Sequence, residues 1–191
     1  MKYIIRKKLS VQPFKNVYHI DTKKRGDFSS ADGVVYTQFN APQAFKDQGH
    51  RIVWQPIVDD IKEYDKFFLD ILNAGVPAIV NIDECINMNF NGKAPRGLSI
   101  LIAQGRLPGI DIIGGTQRVA GSPTELSANA MHILVFNTVN RYDLSIAKEL
   151  LQITTKGPLK LKKYEFYHIM PDVDDFAAKY TSIEQLLPFI R

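Results

Sequence analysis

The run Ala78-Ile79-Val80-Asn81-Ile82-Asp83-Glu84 constrains this chain more than any other segment. An apolar stretch that ends abruptly in two adjacent carboxylates reads as a buried strand whose exit opens onto something polar. Acids at such an exit need a reason. One is a turn or helix cap, a common use of Asp after a strand. The other is phosphoryl-transfer chemistry, in which one carboxylate holds Mg²⁺, directly or through water, because a hard cation wants oxygen ligands. The next carboxylate then orients or deprotonates an attacking water. Alone, the run favours the first reading, and only its company can change that.

The 191 residues are 45% hydrophobic and 23% charged, which fits one ordinary domain with a sizeable core. A single cysteine excludes an internal disulfide framework and suits a reducing cytoplasm. Cys85 follows the acidic pair directly and reads as a half-buried core thiol. His19, His50, His132 and His168 stand far apart with no metal-ligand spacing, so no structural zinc is expected. No apolar run approaches membrane-spanning length, and the amino terminus lacks the apolar core of a signal peptide. A formal net charge of +4 permits a nucleic-acid partner without demanding one. The basic clusters Arg6-Lys7-Lys8, Lys23-Lys24-Arg25 and Lys160–Lys163, each taken singly, read as solvated faces or loops.

Along the chain, Met1–Leu9 has a helical pattern but no N-cap, and reads as the second half of a helix. Short strands are predicted at Val17–Ile20, Gly33–Tyr36 and Arg51–Trp54. Ile57, Ile61, Tyr64, Phe68, Ile71 and Leu72 recur at helical spacing. The buried strand spans Val76–Ile82, a helix Pro95–Arg106, and a further strand Gly109–Gly115. Met131–Phe136 is predicted as a strand, Tyr142–Leu151 as a helix, Lys163–Ile169 as a last strand, and Val173–Tyr180 as a short acidic helix. Strands alternating with helices argue for an α/β fold with a mainly parallel sheet. In such sheets ligands sit at the carboxyl ends of the strands. Three strands here finish in polar residues, at Asp21-Thr22-Lys23, Asp83-Glu84 and Thr116-Gln117. If parallel, they share one edge, and the acidic pair then needs more than a capping role.

The ordered set resembles the FtsK/HerA-type P-loop ATPases, which include DNA translocases and viral genome-packaging ATPases. Leu98 to Arg118 is similar to that family's helix ending in Arg, followed by a Gly-led strand ending in Thr-Gln-Arg. His19-Ile20-Asp21-Thr22-Lys23 resembles its Asp-x-Lys strand exit, and Ile82-Asp83-Glu84 its Walker B. Ser127–Ala130, Leu134–Phe136 and Asp143 resemble its last core strand and helix. The likeness covers about Met1 to Leu151, with 152–191 as a C-terminal strand and short helix in the same single domain. It implies a RecA-like (ASCE) core with ATP and Mg²⁺ as cofactors. Asp83 would hold the metal, Glu84 would be the base, and Gln117 the polar sensor near the γ-phosphate. Arg106 would be an arginine finger offered to a neighbouring subunit. Asp21, Lys23 and Thr116 would lie on the nucleotide side. Plainer roles stay open: a helix C-terminal cation for Arg106, a loop hydrogen bond for Gln117, a surface ion pair for Asp21 and Lys23. The implied partners are double-stranded DNA, further copies in a ring and a viral capsid or portal, with no membrane, in the cytoplasm of the cell or host.

One element of the family pattern is not found: Gly-x-x-x-x-Gly-Lys-Ser/Thr, whose backbone N–H groups and Lys cradle the phosphates. Met1–Leu9 matches the second half of the helix this loop launches, so the chain is expected to start just past Walker A and to be inactive alone. The strand before that loop would lie between Gly109–Gly115 and Met131–Phe136. Its removal is expected to leave two unpaired strand edges and a chain prone to associate. Two rivals remain: an inactive ATPase-like binding or regulatory module, and an unrelated metal-dependent α/β hydrolase using Asp83 and Glu84.

Overall fold

The computed structural model describes residues 2–22, 34–36, 49–56, 60–91, 94–138, 140–152, 158–159, 161–163, 165–171, 177–180, 182, 185–186 and 188. The chain divides into two compact units, Met1–Gln117 and Arg118–Arg191.

The first unit is built on five strands: β1 (Asn16–Asp21), β2 (Val34–Tyr36), β3 (Arg51–Trp54), β4 (Ala78–Asp83) and β5 (Ile110–Gly114). They pair in the order β2-β3-β1-β4-β5, every pair parallel. The mainly parallel sheet expected from the sequence is present. α1 (Lys2–Val11) precedes β1, α2 (Ile61–Ala74) joins β3 to β4, and α3 (Arg96–Gln104) joins β4 to β5.

α2 begins where Asp60 accepts a hydrogen bond from the Lys62 amide, and ends at Gly75, whose φ of 65° closes the helix in a left-handed cap. Residues 57–59, where the periodicity predicts its first turn, lie outside the described residues. Its inward face is Tyr64, Phe67, Phe68 and Ile71. Phe67 stacks on Trp54 with ring centroids 4.1 Å apart and meets Tyr18 edge-on, so α2 covers the sheet face that carries these two rings. α2 and α3 approach closely at Gly97, whose amide donates to Asp65 Oδ1 at 2.6 Å.

The other face alternates along each strand: Val17, His19 and Asp21 on β1, in register with Ile79, Asn81 and Asp83 on β4. α1 packs on it, its Ile5 and Leu9 lying against Val17, Ile79 and Ile113. Lys8 and Lys15 both donate to Asp111 Oδ2, at 3.2 and 2.8 Å. Because α1 leads directly into the entry end of β1, its amino end points toward the strand exits.

Among the described residues β5 pairs with β4 alone and is an edge strand. It carries Ile110 and Ile112 on one face and Ile113 with the charged Asp111 on the other.

The second unit contains α4 (Thr124–Ala128), β6 (Ile133–Phe136), α5 (Arg141–Leu150), β7 (Phe166–Ile169) and β8 (Ala177–Tyr180). β6-β7-β8 form a separate, antiparallel sheet, with β6 at one edge. Val135 and Ile169 pack with Ala147, Leu151, Leu159 and Leu161 into a second core. Of the short helix predicted near Val173–Tyr180, residues 173–176 lie outside the described residues, and 177–180 are not helical. Residues 177–180 are a strand, pairing residue for residue with β7, and Tyr180 stacks on Phe166 at 5.8 Å. Backbone pairing with β7 overrides the helix preference of this segment. The five-residue α4 was not anticipated.

Candidate active site

The exits of β1, β4 and β5 lie along one edge of the parallel sheet, and the residues singled out there come together. Asp21 and Asp83 are direct register partners on neighbouring strands, so their side chains leave the same face side by side. Asp21 is fully buried and accepts from Gln55 Nε2 at 2.7 Å. Asp83 is half-buried. Just beyond, Thr22 Oγ1 donates to the Asp83 carbonyl at 2.7 Å and accepts from Asn87 Nδ2 at 3.0 Å, tying the ends of β1 and β4 together. Lys23 lies outside the described residues.

Glu84 is the most constrained of these residues. Its backbone sits at φ 61°, ψ 73°, a left-handed conformation that costs a side-chain-bearing residue of order 1–3 kcal/mol. Its carboxylate is buried, and Oε1 accepts two hydrogen bonds, from Thr116 Oγ1 at 2.6 Å and from the Gln117 amide at 3.0 Å. The backbone is laced in parallel: the Cys85 amide donates to the Gly115 carbonyl at 2.7 Å, and the Gly115 amide to the Ile82 carbonyl at 3.0 Å. Glu84 is thus fastened to the exit of β5. Cys85, buried beneath, has its thiol pushed up to about 12, first by desolvation and further by the negative charges of Glu84 and Asp83. It is inert at neutral pH.

Gln117 is exposed, and its backbone rather than its side chain makes the contact to Glu84. Arg106 is placed elsewhere. It precedes β5, in the turn where the Ile110 amide bonds back to Gly105, whereas Thr116 and Gln117 follow β5. Five residues of strand separate the two ends by about 16 Å, so an exposed Arg106 cannot serve the acidic exit of its own chain. In the second unit Asp143 is buried and accepts from Arg118 Nε at 3.0 Å and the Ala120 amide at 2.8 Å. Arg118 of the Thr-Gln-Arg motif is therefore held by the aspartate that the sequence pattern also singled out.

Two features escaped the sequence reading. Buried Asn81 and His19 contact each other at 3.1 Å on the face below Asp21 and Asp83, and Asn81 Oδ1 makes no hydrogen bond. An Asn inside a buried strand was the available signal. The second is α1, whose Ile5 and Leu9 pack against Val17, Ile79 and Ile113 and whose amino end, since the helix leads into the entry of β1, points toward the strand exits.

The paired carboxylates offer oxygen donors suited to a hard cation, so Asp83 and Asp21 fit Mg²⁺. Among the described residues no helix is long and apolar enough to cross a membrane.

No family model matches the chain, and no curated protein matches it in sequence. Solved structures do. The genome packaging NTPase B204 from Sulfolobus turreted icosahedral virus 2, in complex with ATP-gammaS, superposes with a TM-score of 0.73 at 17% identity, over 95% of this chain and 91% of that one. Its complex with AMPPCP gives 0.70 at 16%, with the same coverage. B204, the DNA-packaging ATPase from Sulfolobus Turreted Icosahedral Virus, gives 0.71 at 16%, over 95% and 88%. At such identities the likeness is one of fold: this chain has the α/β architecture of the viral packaging ATPase B204.

Proposed function

We propose that this chain is the larger part of an ATP-hydrolysing motor of the DNA-packaging type. The observation that carries the reading is the meeting, at one sheet edge, of the Asp21–Asp83 carboxylates and the fastened Glu84. Both are parts that phosphoryl transfer requires: metal ligands and a base for water. The B204 fold supports it.

In this reading Asp83, beside Asp21, would hold Mg²⁺, which would supply charge neutralisation for bound phosphates. Glu84 would take a proton from the attacking water while its Oε1 stays tied to Thr116 and Gln117. The Gln117 side chain, exposed next to Glu84, contacts the terminal phosphate, and Thr116 and Lys23 border the nucleotide. Arg106 acts only on the site of a neighbouring copy, which makes a ring the working form. Double-stranded DNA is the cargo and a capsid or portal the docking partner. The phosphate-cradling Gly-x-x-x-x-Gly-Lys-Ser/Thr loop and its strand belong ahead of α1, alongside β5. The alternative is an ATPase-like module that keeps the fold and binds partners without hydrolysis.

The 191-residue chain is expected to show no measurable ATP turnover, because phosphate positioning supplies most of this catalysis. A version extended at its amino end with an apolar strand and that loop, taken from the upstream reading frame, should hydrolyse Mg-ATP. Glu84→Gln in it should stop turnover and leave nucleotide binding intact. Turnover by the short chain that Glu84→Gln abolishes would overturn the incomplete-site reading. An upstream stop codon, with no hydrolysis by any extended form, would select the inactive module.

A further inference from the structure

Outside the strand-exit site, the second unit brings together two metal-ligating side chains that the sequence keeps 36 residues apart. His132, immediately before β6, and His168 on β7 lie on one face of the antiparallel sheet, diagonal to one another, since Leu134 is the register partner of His168. His132 Nδ1 and His168 Nε2 are 3.0 Å apart and the rings are inclined by 33°. His132 is half-buried and His168 fully buried, with the Tyr180 ring 5.7 Å from the His168 ring.

Only one N–H can lie between two nitrogens at this distance. The contact is therefore a single shared hydrogen bond, or the bite of a chelate. Two imidazole nitrogens binding one tetrahedral divalent ion at about 2.0–2.1 Å stand only a little farther apart than these do.

We propose that His132 Nδ1 and His168 Nε2 form a chelating site for a borderline divalent transition-metal ion, of the Zn²⁺, Ni²⁺ or Cu²⁺ class, on the antiparallel sheet of the second unit. Imidazole pairs select these ions and not Mg²⁺, which keeps to oxygen donors. Among the described residues no third His, Cys, Asp or Glu completes a metal-binding group, so water fills the other positions and binding is reversible. The proton balance closes. With both rings neutral, the donor ring passes its shared proton, through solvent, to its other nitrogen as the metal enters. No net proton is then released.

The test is calorimetric titration of the 191-residue chain with ZnCl₂, and electron paramagnetic resonance with one equivalent of CuCl₂. One equivalent should bind, and excess MgCl₂ should not displace it. The Cu²⁺ spectrum should show coupling to two imidazole nitrogens. His132→Gln should weaken Zn²⁺ binding by about tenfold or more and leave a single nitrogen, while His50→Gln leaves both readouts unchanged. No saturable equivalent, a single coupled nitrogen in the unsubstituted chain, or undiminished binding in a folded His132→Gln variant would overturn the proposal. If His132→Gln does not fold, the nitrogen count in the unsubstituted chain decides. None of these readouts depends on nucleotide, so the result stands apart from the motor reading.

Discussion

Thr116 donates its hydroxyl to Glu84 Oε1 at 2.6 Å, binding the exit of β5 to the acid that follows β4. The bond is charge-assisted and partly buried, the kind that contributes more than an average hydrogen bond. Thr116→Val should lower stability by about 1.5–3 kcal/mol, and Thr116→Ser, which keeps the oxygen, by less than about 0.5. Urea unfolding of the two variants checks this. Loss in Thr116→Ser with none in Thr116→Val would mean that the methyl group, not the hydroxyl, matters.

Gly97 is where α2 and α3 touch backbone to backbone. A Cβ there would fall inside contact distance of the Asp65 carbonyl oxygen and 2.9 Å from Asp65 Cα, where nothing can rotate away. Gly97→Ala should therefore destabilise by about 1–3 kcal/mol, although alanine is the better helix former by about 1 kcal/mol. A thermal midpoint unchanged or raised would show that the helices separate at little cost.

His168 makes stability depend on pH. Its folded value of about 4 lies below the ordinary 6.5, so between these the unfolded chain binds a proton that the folded chain refuses. The associated stability is present above pH 6.5 and is lost as pH falls toward 4, by up to about 3 kcal/mol. His168→Gln should flatten the urea midpoint over that window. A slope that survives the substitution would assign it to other groups.

Asp111 is the carboxylate to which both Lys8 and Lys15 donate, and Lys15 is 7% exposed. Asp111→Ala leaves the buried ammonium of Lys15 without that acceptor and should cost about 2 kcal/mol, below the loss expected for a fully buried pair because Asp111 is partly open to solvent. Lys15→Met in the same background should recover part of it. A double-mutant cycle with no coupling would dismiss the ion pair as a stabilising contact.

Cys85 should resist alkylation in the native protein. Its thiol titrates at about 12 and its side chain is 3% exposed, so reaction needs opening of the first unit. Labelling by iodoacetamide should accelerate in proportion to the unfolded fraction as urea is added. Rapid native labelling would show that the segment after Glu84 opens locally.

What could be read from the sequence was local. β1, β3, β4 and β5 announce themselves because strands of a parallel sheet are mostly apolar on both faces, and α2 because its aromatic residues recur with the helical period. Asp21, Asp83, Thr116 and Gln117 were found by the change to polar residues at the strand ends, and α/β topology was enough to put them on one edge. The tertiary structure decided what depends on partners distant in the chain. The left-handed turn at Glu84 and its bonds to Thr116 and Gln117 span more than thirty residues. So does the contact of His132 with His168, which sequence spacing seemed to exclude. The strand at Ala177–Tyr180 exists because β7 offers a hydrogen-bonding edge, and isolated propensities point to a helix there. Propensity and periodicity sum interactions over a few neighbouring residues. Register, backbone strain and side-chain pairing are set by long-range packing, which no short window of sequence contains.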